Sequence, residues 1–443
     1  MLEKPEENLK RIRAAMGLLS ILPIAYCVFF VFLYCYDTPY WDQWWHQLPL
    51  ILKSIDGTLR FADLWTTTEE HRLFFPNLMF VGLARLSHWN PYYELAVLMG
   101  FAVANFVLVS RLILSTEGAL GRKGTLWYLP VLALLMFSFS QRAIWMWGLH
   151  LMATFTSLCM VIAIFLLSRK TIAVSQVACA AGLAMVTSYS FGAGLTLWPA
   201  GLVLLLLHGT NQQRHNIRYV AWWLLAAVLV MLGYFVGYEA TPTNESALEV
   251  VGSPLGFVLY CFAYLGGPLA AYYPPFALAI GFAGSLLFLF LLYRIVVKEG
   301  MDVHLVSPYI GFAMITCCTA VLSGLKHHPE GIQQALSSRA LIWSTLFWVG
   351  TLGLLYVLAL GTTNKRIRVS CYAVTALLCV FTLASSLYGT YRADERHDAF
   401  LWGREALISG ENRENFKYLC SDVEVVEAMR DTLIEYKLSI FRE

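Results

Sequence analysis

Apolar stretches of about 20 residues, nearly free of charge, recur along this chain and leave it few folds to choose from. An α-helix rises about 1.5 Å per residue, so a run of that length covers the roughly 30 Å hydrocarbon core of a bilayer. In lipid each backbone N–H and C=O needs an internal partner, and a helix supplies one. Such runs lie near residues 15–36, 93–114, 126–141, 147–167, 171–189, 191–208, 219–238, 274–296, 304–324, 339–360 and 369–389. Charged residues make up 14% of the chain, against about a quarter in a soluble domain, so the polar surface of a soluble fold is missing. The chain therefore reads as an all-α polytopic membrane protein with about 11 transmembrane helices.

Two further apolar segments do not fit a simple crossing. Residues 73–89 are interrupted by Pro76, Asn77 and Arg85, and residues 254–270 run into GGPLAAYYPP. Basic residues decide how to treat them, because Lys and Arg gather in cytoplasmic loops. Lys4, Lys10, Arg11 and Arg13 precede the first run and place the N-terminus inside. That first run is too long for a signal-peptide core and reads as a retained span. Arg122/Lys123, Arg169/Lys170, Arg214/Arg218, Arg294/Lys298 and Lys365/Arg366/Arg368 fall inside if 73–89 and 254–270 stay on the outer face as juxtamembrane or half-inserted helices. The C-terminus then lies outside, which in a bacterium is the periplasmic side of the inner (cytoplasmic) membrane. Residues 1–389 form the transmembrane domain in this scheme, with a large external loop at 37–92. Residues 390–443 turn polar, with helical periodicity near 392–409 and 422–438, and read as a small periplasmic helical tail.

The external loop concentrates ionisable groups. Between Tyr36 and Arg72 it holds Asp37, Asp42, His46, Asp56, Asp63, Glu69, Glu70, His71 and Arg72, with Tyr36, Tyr40, Trp41, Trp44 and Trp45 at its start. Asp37 and Asp42 among these rings suit either an interfacial aromatic belt with solvated acids or a general base for an acceptor hydroxyl. In the second case the rings, Trp41 and Trp44 among them, desolvate the carboxylate and offer a stacking face to a sugar. Glu70, His71 and Arg72 suit a solvated helix start or a substrate clamp. In the clamp, the Arg72 guanidinium grips phosphate oxygens bidentately and His71 supports it. A metal site built from Asp42, Glu70 and His71 is chemically admissible, but no spacing demands one, so a divalent metal is not indicated.

Two other outer clusters carry charge. SQRAIWMWGLH holds Arg142, Trp145, Trp147 and His150, either as a snorkelling arginine with tryptophan anchors or as part of a ligand site. KHHPEGIQQALSSR holds Lys326, His327, His328, Glu330, Gln334 and Arg339, and basic residues on the outer side suit an anionic ligand. Arg339 opens a long apolar run, where an unpaired charge is expensive. SYSFGAGLTLWP, with Gly192 and Gly194, reads as a tight hairpin between two helices. Several chemistries drop out. The sequence has no GK[ST] phosphate loop, no GxSxG elbow and no HExxH. Its ten cysteines form no CxxC pair and mostly sit in apolar runs as small buried hydrophobes. A net charge of +2 argues against a nucleic-acid partner.

The order of short motifs resembles the GT-C superfamily of integral-membrane glycosyltransferases. It is also similar to a group of bacterial multi-span proteins with a WDQW…G…L…EHR…P…NP…E opening. Here those residues are Trp41, Asp42, Gln43 and Trp44, then Gly57, Leu64, Glu70, His71, Arg72, Pro76, Asn90, Pro91 and Glu94. A WxWG element (Trp145, Trp147, Gly148), an SFxxG…WP turn (Ser190, Phe191, Gly194, Trp198, Pro199) and QALSSR (Gln334 to Arg339) follow. The chain departs from that group at QRAI, before the WxWG element, and at Ala340 after SSR. The resemblance implies a GT-C-like fold and a donor sugar carried on a polyprenyl phosphate. It also implies an acid in the first external loop as base, and one inverting displacement. On that basis Asp42 is the base, Asp37 its substitute, and Glu70 orients His71 or the acceptor hydroxyl. Arg72 and Arg339 bind the carrier phosphate with His71, and Arg142 and Lys326 join that phosphate-binding set. The acceptor implied is an envelope glycan such as O-antigen, reached among membrane lipids, with a carrier synthase and a flippase acting upstream. Two alternatives use the same residues: a transporter or flippase of a lipid-linked glycan, and a glycan polymerase, ligase or acyltransferase.

Overall fold

The structure is a computed structural model that describes residues 5–68, 71–207, 213–238 and 252–442. It is almost wholly helical. The strands among the described residues are one antiparallel pair, Thr67–Thr68 with His71–Arg72, in the register Thr67↔Arg72 and Thr68↔His71. Helices α1 (Pro5–Leu19) and α2 (Ile21–Tyr34) form one rod, charged up to Arg13 and apolar beyond it. The loop beyond them carries α3 (Gln47–Ile55), α4 (Phe61–Leu64) and α5 (Phe74–Ser87). Next come α6 (Pro91–Leu120), α7 (Tyr128–Met136), the short α8 (Arg142–Met146) and α9 (Leu151–Leu167). A shorter pair, α10 (Val174–Ser188) and α11 (Leu197–Leu207), precedes α12 (Gln213–Phe235). The last elements are α13 (Pro254–Ala270), α14 (Pro274–Leu292), α15 (Ser307–His327), α16 (Leu341–Gly361), the 45-residue α17 (Lys365–Ser409) and α18 (Val423–Glu435).

Nine helical segments among the described residues are long and apolar enough to cross a membrane, which makes this a multi-pass helical membrane protein. Local sequence sets the element ends. The Asn90 side chain accepts from the Tyr92 N–H and Pro91 follows it, a preorganised start for α6. Gly121 closes α6 in the left-handed conformation (φ 60°). Helix α16 is apolar on every side and fully buried, so it forms the axis of the bundle. Helix α12 exposes Trp222, Leu225, Leu229 and Leu232, as a lipid-facing helix does. Helices α13 and α14 touch backbone to backbone. A Cβ on Gly266 would strike the Ala277 carbonyl, and one on Gly281 the Phe262 carbonyl.

The connections sort into two ends. At one, Arg13, Glu117, Gly124 and Tyr356 meet in a single network. There too Arg122 donates to the Leu360 and Gly361 carbonyls, and Lys170 lies 3.7 Å from Asp302. The other end, called the site end below, gathers the loop after α2, residues 137–150, 189–196 and 327–341, and the chain beyond Ser385. Helix α5 begins and finishes there. The Phe75 N–H donates to the Tyr189 carbonyl (3.3 Å), and the Ser439 N–H to the His88 carbonyl (2.9 Å). Its 14 residues cover about 21 Å. Helix α13 is held at the same end, through Tyr260 to Ser323 and Tyr264 to the Ala340 carbonyl.

The tail is not a separate unit hinged at residue 390, because α17 runs through that position without a break. It then folds back onto the external loop. Arg404 Nε contacts both oxygens of Asp37 (2.9 and 3.0 Å), the Trp41 N–H donates to the Leu419 carbonyl (2.7 Å), and the Tyr436 hydroxyl donates to Asp56 (3.0 Å).

Candidate active site

The WDQW segment forms one 3-10 turn, Trp41–Gln43, and a polar hub sits beneath it. Gln43 Oε1 accepts from the Tyr40 N–H (3.1 Å) and from Trp147 Nε1 (2.9 Å). Its amide nitrogen donates to Gln47 (2.7 Å) and to Glu94 (3.3 Å). Trp89 Nε1 donates to the other Glu94 oxygen (3.2 Å). Gly148 is needed here, since a Cβ would run into the Glu94 carboxylate. Residues that the sequence spreads over the WDQW, NP…E and WxWG motifs therefore join in one buried network. Above it Trp41 adopts φ 46°, an unfavourable left-handed angle for a tryptophan, held by its bond to Leu419. Asp42, next in the chain, is half-buried and faces a cavity.

That cavity has a volume of about 360 Å³. Asp42, His46, Thr68 and His71 line it from the external loop, and Lys326, His327, Gln334, Ser337 and Arg339 from the α15–α16 connection. Aromatic groups bridge the two sets. The Phe191 ring lies 4.5 Å from His71 and 5.4 Å from Trp343, nearly parallel to the latter. The SYSFGAG turn thus does more than join two helices: Gly192 lets His71 approach, as a Cβ there would sit 2.7 Å from the imidazole Nδ1. Arg339 has neither an ion-pair nor a hydrogen-bond partner among the described residues. His327 pairs with Glu330 (2.6 Å).

His46 is held through both ring nitrogens. Asn77 gives its amide nitrogen to the Leu64 carbonyl (3.1 Å), so its oxygen faces His46 Nε2 (2.9 Å) and takes a proton from it. Nδ1 is then the acceptor for the Thr68 hydroxyl (2.7 Å). Burial lowers the pKa of this imidazole, with the Asn77 bond opposing, and His46 is a neutral structural member of the wall.

Of the residues expected in the site, Asp42, His71, Lys326 and Arg339 come together in the cavity. Others do not, for physical reasons. Arg72 is 2% exposed and donates to the carbonyls of Trp65, Tyr234 and Val236, with its guanidinium 5.2 Å from the Trp65 ring. It ties the loop to the end of α12, and its buried guanidinium stands outside the cavity lining. Asp37 is bound to Arg404 and stands outside the cavity lining, which removes it as a substitute base. Arg142 lies outside the cavity lining, within electrostatic range of Tyr36, Tyr388, Arg392 and Arg396. Trp44 is fully buried packing, and Trp41 is 39% exposed outside the cavity lining, so neither offers the expected sugar-stacking face there. Glu70 lies outside the described residues, and with it the metal site of Asp42, Glu70 and His71. No group of three or more His, Cys, Asp or Glu is placed to hold a metal ion among the described residues.

A second, apolar concavity of about 430 Å³ runs along α12, lined by Leu224, Val228, Met231, Leu232 and Phe235. Phe235 lines both spaces, so the two are neighbours across its side chain. The arrangement offers a carboxylate and cationic groups in one aromatic-walled space, able to take a proton and to stabilise an anion. Fold and cavity define a multi-pass helical membrane protein with a chamber of mixed ionisable and aromatic lining at one end of its bundle. Compared with known protein families, curated proteins and solved structures, the chain matches none.

The sequence named His46, Asn77 and Gln43 without giving them a role in the site, and did not point to Thr68. The available signal was a Gln43/Gln47 pair four residues apart among aromatics, too small a pattern to mark a hub.

Proposed function

We propose that the protein is a GT-C-like glycosyltransferase that moves a sugar from a polyprenyl-phosphate carrier to a cell-envelope glycan of the O-antigen kind. The observation that carries this reading is that Asp42 and Arg339, far apart in sequence, line one cavity, and that the guanidinium has no counter-ion among the described residues. Asp42 takes the proton of the acceptor hydroxyl as its oxygen attacks the anomeric carbon. The bond from that carbon to the phosphate oxygen breaks on the opposite side, so the configuration inverts. The electron pair leaves with the phosphate, whose charge Arg339 and Lys326 stabilise. Trp147, Phe191 and Trp343 give the sugar apolar faces to stack on, and His71 stands beside them.

The polyprenyl chain lies along α12, entering past Phe235. With α10 and the α11 segment as two shorter crossings beside the nine long ones, the spans number about 11. Basic residues at the far end (Arg122, Lys123, Arg169, Lys170, Lys365, Arg366, Arg368) put that end in the cytoplasm and the cavity on the periplasmic face. The test is mass spectrometry of envelope glycans from cells with and without the protein. A gain of one hexose mass that depends on the protein is expected. Identical glycans, with the protein present in the membrane, would overturn the proposal.

A further inference from the structure

A second concentration of positive charge lies apart from the cavity, behind an aromatic wall. Tyr36 stacks on Tyr40 (4.1 Å), and Tyr40 meets Trp147 edge-on (5.4 Å); Trp147 lines the cavity, while Tyr36 lies within electrostatic range of Arg142. Helix α17 packs closely on the turn just before Arg142. The Phe139 N–H donates to Ser386 Oγ (2.9 Å), and a Cβ on Gly389 would strike the Phe139 carbonyl. This contact fixes the register of α17, so Arg392 and Arg396 stand about 4.5 and 10.5 Å further along its axis than Gly389. Arg142 opens α8 immediately after the same turn and lies within electrostatic range of both arginines and of the Tyr388 and Tyr36 phenols.

The acids nearby are engaged elsewhere. Asp37 binds Arg404, Asp394 accepts from the Tyr34 hydroxyl (3.1 Å), and Glu395 pairs with Arg392 (2.7 Å). Asp398 sits about 160° around the helix axis from Arg396. The Nε of Arg142 is buried without a hydrogen-bond partner, and Arg396 has no ion-pair partner among the described residues. Of the three guanidiniums, that of Arg392 alone has a carboxylate ion-pair partner among the described residues. A buried donor with no acceptor is costly, and like charges held together repel, so the cluster is incomplete as it stands. An anion with several oxygens would satisfy the Nε and neutralise the excess charge, and guanidinium geometry fits phosphate oxygens well.

The level of the cluster along α17 says where such an anion comes from. Leu377, Val380, Leu383 and Leu387 are exposed apolar side chains on the approach, and the exposed surface turns polar from Asp394 to Arg396. The arginines stand where a lipid-facing surface gives way to water, the depth of phospholipid headgroups.

We propose that Arg142, Arg392 and Arg396 form a binding site for a phosphate-bearing anion, presented as the headgroup of an anionic membrane lipid. The site is independent of the transferase proposal, because its test reads binding and needs no sugar transfer. Full-length protein is purified in detergent and examined by native mass spectrometry with added phosphatidylglycerol or phosphatidylcholine, and by thermal unfolding with inorganic phosphate. Wild type should retain phosphatidylglycerol in preference to phosphatidylcholine, and Arg396→Gln should weaken that retention about tenfold, with Arg142→Gln at least as severe. Arg396 is exposed, so its variant keeps the test valid even if Arg142→Gln misfolds. Protection by inorganic phosphate alone, lost in Arg396→Gln and without lipid preference, would keep the site and identify its ligand as free phosphate. A folded Arg396→Gln protein with wild-type responses to both lipid and phosphate would overturn the proposal.

Discussion

The two ends of the helix bundle treat charge in opposite ways. At the far end Glu117 accepts from Arg13 at both oxygens (3.0 and 2.9 Å), from the Gly124 N–H (2.9 Å) and from the Tyr356 hydroxyl, and Arg13 also donates to the Gly124 carbonyl (2.9 Å). This network links α1, α6 and α16 and is closed within the protein. At the site end Arg339 shares a cavity with Asp42 and has no counter-ion among the described residues. A closed network holds helices in place; an open one leaves charge for a ligand to complete. Arg72 shows that location alone does not decide, because it lies at the site end yet spends its guanidinium on three carbonyls.

Substitutions can break or sharpen this contrast. Glu117→Ala strips Arg13 and Tyr356 of their shared acceptor and should cost about 3–5 kcal/mol, read as a large fall in the apparent Tm of the detergent-solubilised protein. Arg72→Met leaves three carbonyls without their donor and should cost about 2 kcal/mol by the same measurement. Arg339→Gln should stay within about 0.5 kcal/mol of wild type while lowering sugar transfer at least about tenfold. If Arg339→Gln destabilised the protein as strongly as Glu117→Ala, the division into closed and open ends would fail.

A smaller effect concerns pH. The His46 imidazole has a folded pKa below its ordinary 6.5, mainly through burial, so the folded state binds this proton less readily than the unfolded state. Stability is full above about pH 6.5 and falls as the pH drops from there toward the lowered folded value. Replacing His46 with Gln should flatten that part of the stability profile, measured as apparent Tm between about pH 7 and 5. An unchanged profile would show that His46 does not carry the dependence.

Much of the architecture was legible from single residues. The apolar runs mark the long helices, while segment 73–89, read as interrupted at Pro76 and Asn77, is one unbroken helix over Phe74–Ser87, because proline is tolerated in a helix's first turn. Asp42, His71, Lys326 and Arg339, which line the cavity, stood out because each is an ionisable residue close to an apolar run. What the sequence could not supply is the direction of a side chain across the fold. Arg72 and Arg339 look alike as arginines beside a helix, and only the carbonyls at the end of α12 distinguish them. Asp37 and Asp42 stand five residues apart in one aromatic loop, yet Arg404, from the distant tail, claims the first and leaves the second facing the cavity. The boundary placed at residue 390 follows a real change in polarity, but backbone helicity continues through it, since hydrogen bonds along a helix do not depend on which solvent surrounds it.

The role of Asp42 can be decided in cells that carry either wild-type protein or Asp42→Asn at matched membrane levels, by measuring the mass of their envelope glycans. A general base contributes about 10²–10⁴-fold in rate, so the variant should leave the glycan lighter by one hexose while Arg339 and the fold remain in place. Full glycan modification by Asp42→Asn would contradict the assignment of the base and, with it, the cavity as the place where transfer occurs.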